Sequence, residues 1–84
     1  MSPGRVDTSA RVRVVVADDS AYYRARIARL FKRLEGFDVV GMAADGEEAI
    51  RLIASERPDV AVLDLQMPKM DGFSVLRWAM ASDP

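Results

Sequence analysis

The chain has 84 residues, half of them apolar, and a formal charge of −1, which is the composition of one small globular unit. It contains neither cysteine nor histidine, which excludes a disulfide framework, an ordinary zinc site and Ser-His or Cys-His catalysis. Oxygen chemistry remains, from carboxylates, hydroxyls and a hard cation. No run approaches the roughly 18 to 20 consecutive apolar residues of a membrane span, and the near-neutral balance predicts no direct contact with nucleic acid or membrane.

Met1 to Ala10 are polar and aperiodic and read as a disordered tail. The opening Met1-Ser2-Pro3-Gly4-Arg5 lacks the apolar centre of a secretory signal, so a cytoplasmic location is expected. Arg11 to Ala17, with Val12, Val14, Val15 and Val16, predict a first strand ending in Asp18-Asp19-Ser20. Ser20 suits the N-cap of a helix whose inward residues are Tyr23, Ile27, Leu30, Phe31 and Leu34, ended by Gly36 as a C-cap glycine. Arg24, Arg26, Arg29, Lys32 and Arg33 fill much of its remaining surface. That basic face is either solvated or a docking surface.

Phe37 to Ala43 predict a second strand centred on Val39 and Val40. Asp45 then caps a second helix, with Glu48 completing a capping-box-like start and Ala49, Ile50 and Ile53 facing inward. Pro58 stops it by forcing Arg57 out of helical geometry. Asp59 to Pro68 is an almost unbroken apolar run that ends in Asp64 and turns at a proline, the pattern of a strand buried on both faces. Asp71-Gly72 opens a third helix with Phe73, Leu76, Ala79 and Met80 inward and Trp78 partly exposed. Met67 and Met70 read as loop packing. The order βαβαβα with short connections implies an α/β fold: a parallel sheet with right-handed crossovers and helices on both faces.

If the first and third strands are neighbours, Asp18, Asp19 and Asp64 emerge at one sheet edge. Two like charges about 4 Å apart repel by roughly 4 kcal/mol at an effective dielectric near 20, a large share of a domain's net stability. A shifted pKa, a basic partner or a divalent cation must offset this. Magnesium suits such a site best, since it takes oxygen ligands and works with one or two carboxylates plus a phosphate. The plainer alternative has Asp18 capping the first helix, Asp19 solvated and Asp64 merely ending its strand.

Val14-Val15-Val16-Ala17-Asp18-Asp19-Ser20, Ala44-Asp45-Gly46-Glu47-Glu48-Ala49 and Asp64-Leu65-Gln66-Met67-Pro68-Lys69-Met70-Asp71-Gly72 resemble the receiver domain of two-component response regulators. The resemblance makes residues 11–84 the N-terminal part of a receiver and implies a flavodoxin-like fold, with strands here in the order 2-1-3. It implies that Asp64 is the phosphoacceptor, taking a phosphoryl group from a histidine kinase or phosphotransfer protein. It also implies that Asp19 binds magnesium directly, Asp18 through water, and the Gln66 carbonyl as a further ligand beside Asp64. Pro68 and Gly72 would shape the loop carrying Asp64. The motifs look most like receivers of chemotaxis methylesterases or of helix-turn-helix regulators, so a methylesterase output domain is one expectation.

A full receiver continues to a fourth strand ending in Ser or Thr and a fifth ending in Lys. The sequence stops before both, so the resemblance implies a pocket more dependent on magnesium and an apolar edge at 60–65 open to self-association. Two rival readings are a degenerate receiver acting by protein contact alone and an aspartyl-phosphate phosphatase of the haloacid dehalogenase type. The second wants an acid two residues after its nucleophile, where this chain has Gln66.

Overall fold

A computed structural model describes residues 11–64, 67 and 71–82. The expected tail at 1–10 and the loop residues Leu65, Gln66, Pro68, Lys69 and Met70 lie outside the described residues. The elements follow the expected order: β1 (Val12–Ala17), α1 (Ala21–Arg33), β2 (Phe37–Ala43), α2 (Gly46–Glu56), β3 (Val60–Leu63) and α3 (Gly72–Ser82). The strands form one parallel sheet ordered β2-β1-β3. Because β2 and β3 lie on opposite sides of β1, right-handed crossovers carry α1 across one face and α2 across the other.

β1 is the buried centre. Val14, Val15 and Val16 are fully enclosed and Ala17 nearly so, each valine side chain contributing on the order of 1.5–3 kcal/mol by leaving water. On the α2 face, Ala17, Ala43, Ala49, Met67 and Val75 form a core cluster, with Ile50, Leu52, Ile53 and Leu63 packed around it. On the other side the Phe31 and Phe37 rings meet at 5.4 Å, fastening α1 to the start of β2.

The local stop and start signals act as the sequence indicates. Ser20 accepts a hydrogen bond from the Tyr23 amide, and Asp45 from the Glu48 amide at 2.8 Å. Glu48 reaches back to the Ala44 N–H at 2.7 Å, one residue beyond the usual partner of a capping box. Before Pro58, Arg57 turns to φ 49° and ends α2. At the other end of β1, Arg13 pairs with Glu56 at 2.9 Å and its amide donates to the Asp59 carboxylate, tying together the starts of β1 and β3.

Four packing expectations are corrected. On α1, Tyr23, Leu30 and Leu34 are more than half exposed; Ala28 is buried, and Arg24, Ile27 and Phe31 are half-buried around it. The inward stripe is centred on those four residues, so Tyr23, Leu30 and Leu34 run along one flank. On α3, Gly72 and Val75 face the core with Trp78 and Ala79 half-buried, while Phe73, Leu76 and Met80 are exposed on a neighbouring stripe. Helical periodicity names a set of stripes; the element across from the helix selects one.

The third correction is β3. It is four residues long and lies at one end of the sheet, with Val60 and Ala61 exposed and Val62 and Leu63 half-buried. Its run reads as a strand buried on both faces, but it has only β1 beside it among the described residues, so residues 60–63 are the apolar edge expected from the order 2-1-3. The fourth is Gly36, which does not cap α1. Leu34, in extended conformation, ends the helix by donating to the Phe31 carbonyl. Gly36 takes φ 89° two residues later, where its carbonyl accepts the Val12 amide at 2.7 Å. That left-handed turn is glycine's use here.

Candidate functional site

Residue order alone brings the acids together. In the β1–β3 ladder Ala17 stands opposite Leu63, so the next pair is Asp18 and Asp64. The ladder closes with the Asp64 amide donating to the Ala17 carbonyl at 2.9 Å. On the other side, the Asp18 amide donates to the Ala43 carbonyl at 3.0 Å. The site thus sits past the carboxyl ends of the strands, where the sheet order reverses about β1 and the flanking helices leave on opposite faces. Open α/β sheets bind ligands at such a switch point.

Asp18, Asp19 and Asp64 each offer a carboxylate oxygen, and these oxygens lie within 4.8 Å of one another. Asp18 and Asp64 are half-buried and Asp19 is exposed. One oxygen of Asp18 accepts the Ser20 amide at 2.9 Å, a turn that leaves the other oxygen for a ligand. The expected convergence of the three acids is therefore present. Asp18 does not cap α1, as the plainer alternative had it; Ser20 does.

The donor set suits a small hard cation. Octahedral magnesium with ligands at about 2.1 Å spans about 3 Å between adjacent oxygens and about 4.2 Å between opposite ones. An all-oxygen triad spread within 4.8 Å fits that span when one acid acts through a bound water. Magnesium keeps such waters readily.

Of the remaining expected site residues, Gly72 is buried as the first residue of α3, where the Asp71 side chain accepts the Ser74 amide at 2.9 Å. Gln66 and Pro68 lie outside the described residues. Met67, between them, is buried in the core cluster, so the loop after Asp64 is pinned at that point. One contact was not legible beforehand. Arg24, counted among the surface cations, is half-buried and donates to the Asp18 carbonyl at 2.8 Å. A signal existed: Arg24 lies near the positive end of the helix dipole, where cations are disfavoured.

The rest of the basic face is exposed. Arg26 lies 5.5 Å over the Tyr22 ring and donates to its hydroxyl, and Arg26, Arg29, Leu30 and Arg33 line a shallow hollow of about 240 Å³. Trp78 lines a groove of about 690 Å³ with Arg57, Asp59 and Ala61 at the far end of β3, away from the acids. Among the described residues no helix is long and apolar enough to cross a membrane.

The model of the response regulator receiver domain matches residues 14–84. The chain belongs to this receiver family. Among curated relatives, the receiver is 49% identical over 74 residues to protein-glutamate methylesterase/protein-glutamine glutaminase 3 of Geobacter sulfurreducens, covering 88% of this chain and 20% of the relative. Among solved structures it resembles the signal receiver domain of the putative response regulator NarL from Mycobacterium tuberculosis. That match has a TM-score of 0.85 and 41% identity and covers 87% of this chain and 59% of that one. It also resembles a chain in the CheX-CheY-BeF3-Mg complex from Borrelia burgdorferi, with a TM-score of 0.78 and 36% identity, over 86% of this chain and 55% of the other. The receiver spans about a fifth of the length of its curated relative and somewhat over half of the solved receivers.

Proposed function

We propose that Asp64 accepts a phosphoryl group from the phosphohistidine of a histidine kinase or phosphotransfer protein, as the receiving step of a phosphorelay. One Asp64 carboxylate oxygen attacks phosphorus as the N–P bond breaks. The bonding pair returns to the imidazole nitrogen, which takes up a proton from solvent, and an aspartyl phosphate is left. Asp19 would hold magnesium directly, Asp18 through water, with Asp64 and the Gln66 carbonyl completing the protein's share. When bound, the ion neutralises charge on the transferring phosphoryl oxygens, which is most of what phosphoryl transfer requires.

Three carboxylate oxygens gathered within 4.8 Å at the ends of β1 and β3 carry this reading. The electrostatic cost of that gathering argues for a bound cation. The Borrelia burgdorferi relative, whose complex contains magnesium and beryllofluoride, a phosphoryl mimic, supports the same use of the site. The methylesterase relative favours a methylesterase-type output domain as the element controlled.

The test is incubation with acetyl phosphate and magnesium followed by intact-mass measurement. One phosphoryl adduct is expected on the parent and none on Asp64→Asn. An unmodified parent under conditions where it binds magnesium sinks the phosphoacceptor reading and leaves protein contact as the receiver's role.

A further inference from the structure

The loop between β1 and α1 carries two of the three acids, and its fastenings are unequal. The Asp18 amide is held by the Ala43 carbonyl, and one Asp18 carboxylate oxygen by the Ser20 amide. Ser20 in turn caps the helix through the Tyr23 amide. The Asp18–Ser20 bond closes a ring through the peptide between Asp18 and Asp19, which sets the direction in which the exposed Asp19 leaves the chain, but none of these bonds is made to that peptide's own carbonyl. That carbonyl is held by Arg24, at 2.8 Å.

The reach follows from helix geometry. Side chains on a helix lean toward its N-terminus, so Arg24, on the first turn of α1, carries its guanidinium back over Ser20 to the loop. The residue stands where the helix dipole opposes a cation; the first turn itself holds no acid, and the nearest in sequence are Asp18 and Asp19 of the site. A residue that breaks a local rule beside a site commonly serves the site.

We infer that Arg24 is a positioning residue: it sets the Asp18–Asp19 peptide so that Asp19 faces the metal position. This rests on the magnesium reading above. Two effects of the guanidinium oppose each other. As a charge it repels the cation, so its removal would tighten binding, and added salt would erase the difference. As a clamp it preorders Asp19, so its removal loosens binding at any ionic strength.

The experiment is a magnesium chloride titration of the 84-residue chain, followed by the amide resonances of Asp19 and Ser20. Parent, Arg24→Ala and Arg24→Lys are compared at low and high sodium chloride, well below each melting temperature. Arg24→Ala should bind about fivefold more weakly at both salt concentrations, the size expected for one hydrogen bond worth about 1 kcal/mol. Arg24→Lys should recover part of the loss. Hydrogen exchange of the Ser20 amide without metal should be faster in Arg24→Ala. Equal or tighter magnesium binding by Arg24→Ala, or unchanged Ser20 exchange, overturns the role of Arg24. A parent that takes up no magnesium overturns the site reading itself, while the metal-free exchange still reports whether Arg24 holds the loop.

Discussion

Asp71 shows how one residue's charge is written into local structure. As the cap of α3 it accepts the Ser74 amide, and its carboxyl is held below the usual aspartate range first by that bond. The Ser74 hydroxyl acts next; desolvation opposes both, and the nearby Arg77 and the Phe73 amide lower the pKa further to a smaller degree. A carboxylate whose pKa is lower folded than unfolded stabilises the fold above the unfolded value, about 3.9, and loses that contribution as pH falls through the folded value. Acid should therefore weaken α3 in the parent, and Asp71→Asn should flatten that dependence. Melting curves from about pH 5 to about pH 2 check this; parallel losses in the two proteins would remove Asp71 from the account. At α2, Asp45→Ala should cost about 1 kcal/mol in urea unfolding, since Asn, Asp and Ser caps typically contribute that much. These caps were legible in the sequence because a cap needs only residues within one turn of itself. The flank on which Tyr23, Leu30 and Phe73 fall was not, because that depends on how each helix is rotated against elements distant in sequence.

Strands pose the same question of local against distant information. The register of β1 and β2 shifts between Val14 and Val15, so that Val14 faces Val39 and Val15 faces Gly41, leaving Val40 as the extra residue of a bulge. At Gly41 an added Cβ would stand 3.1 Å from both terminal methyls of Leu52, on α2. Alanine asks those flexible methyls to yield by a few tenths of an ångström and should be tolerated. Valine gains up to about 1 kcal/mol in strand preference but adds two further methyls to a full space, and overpacking costs roughly 1–3 kcal/mol. Gly41→Val should therefore be the less stable protein in urea unfolding; equal stability would mean that Leu52 moves freely. The type and order of every element could be read from hydrophobic period and turn residues, but this shift could not, since it involves two strands and a helix at once. β3 is the edge that the order 2-1-3 implies, although its own apolar run reads as a strand buried on both faces. An apolar run states what a strand is suited to lie beside, and here β1 is its one neighbour among the described residues. The 84-residue chain should accordingly self-associate through β3. A symmetric antiparallel pairing centred on Ala61 or on Val62 leaves Asp59 of each copy within one residue of the position opposite Asp64 of the other, so added salt should strengthen it. Sedimentation over rising concentration tests this; a chain monomeric at all concentrations, or identical in behaviour after Val60→Lys, counts against the edge.

At the scale of the whole molecule, the site and the fold draw on the same free energy. A chain this short buries only about 60% of its unfolded surface and has a small stability margin. Within that margin it holds three carboxylates at one end of its sheet, two of them half-buried. Solvent screens part of their repulsion, least for Asp18 and Asp64. The acids were legible as a group because parallel strands present their carboxyl ends on one side whatever the detailed packing. The clamp from Arg24 was not, because the length and direction of one side chain decide it. Linkage gives the group a thermodynamic signature. A cation that binds only the folded chain stabilises it by about 2.7 kcal/mol at a hundred times its dissociation constant. For a domain of this size each kcal/mol moves the melting temperature by about 4–8 °C, so saturating magnesium should raise it by roughly 10 °C or more. Sodium chloride of matched ionic strength should give a much smaller rise, because screening weakens the repulsion without supplying the coordination. Asp19→Asn should melt higher than the parent without metal, having one charge fewer at the site, yet gain less from magnesium. That crossing of the two proteins' melting temperatures with magnesium concentration distinguishes a metal site from three acids that merely share an edge. A parent indifferent to magnesium, or raised equally by sodium chloride, would leave the cluster without its ion.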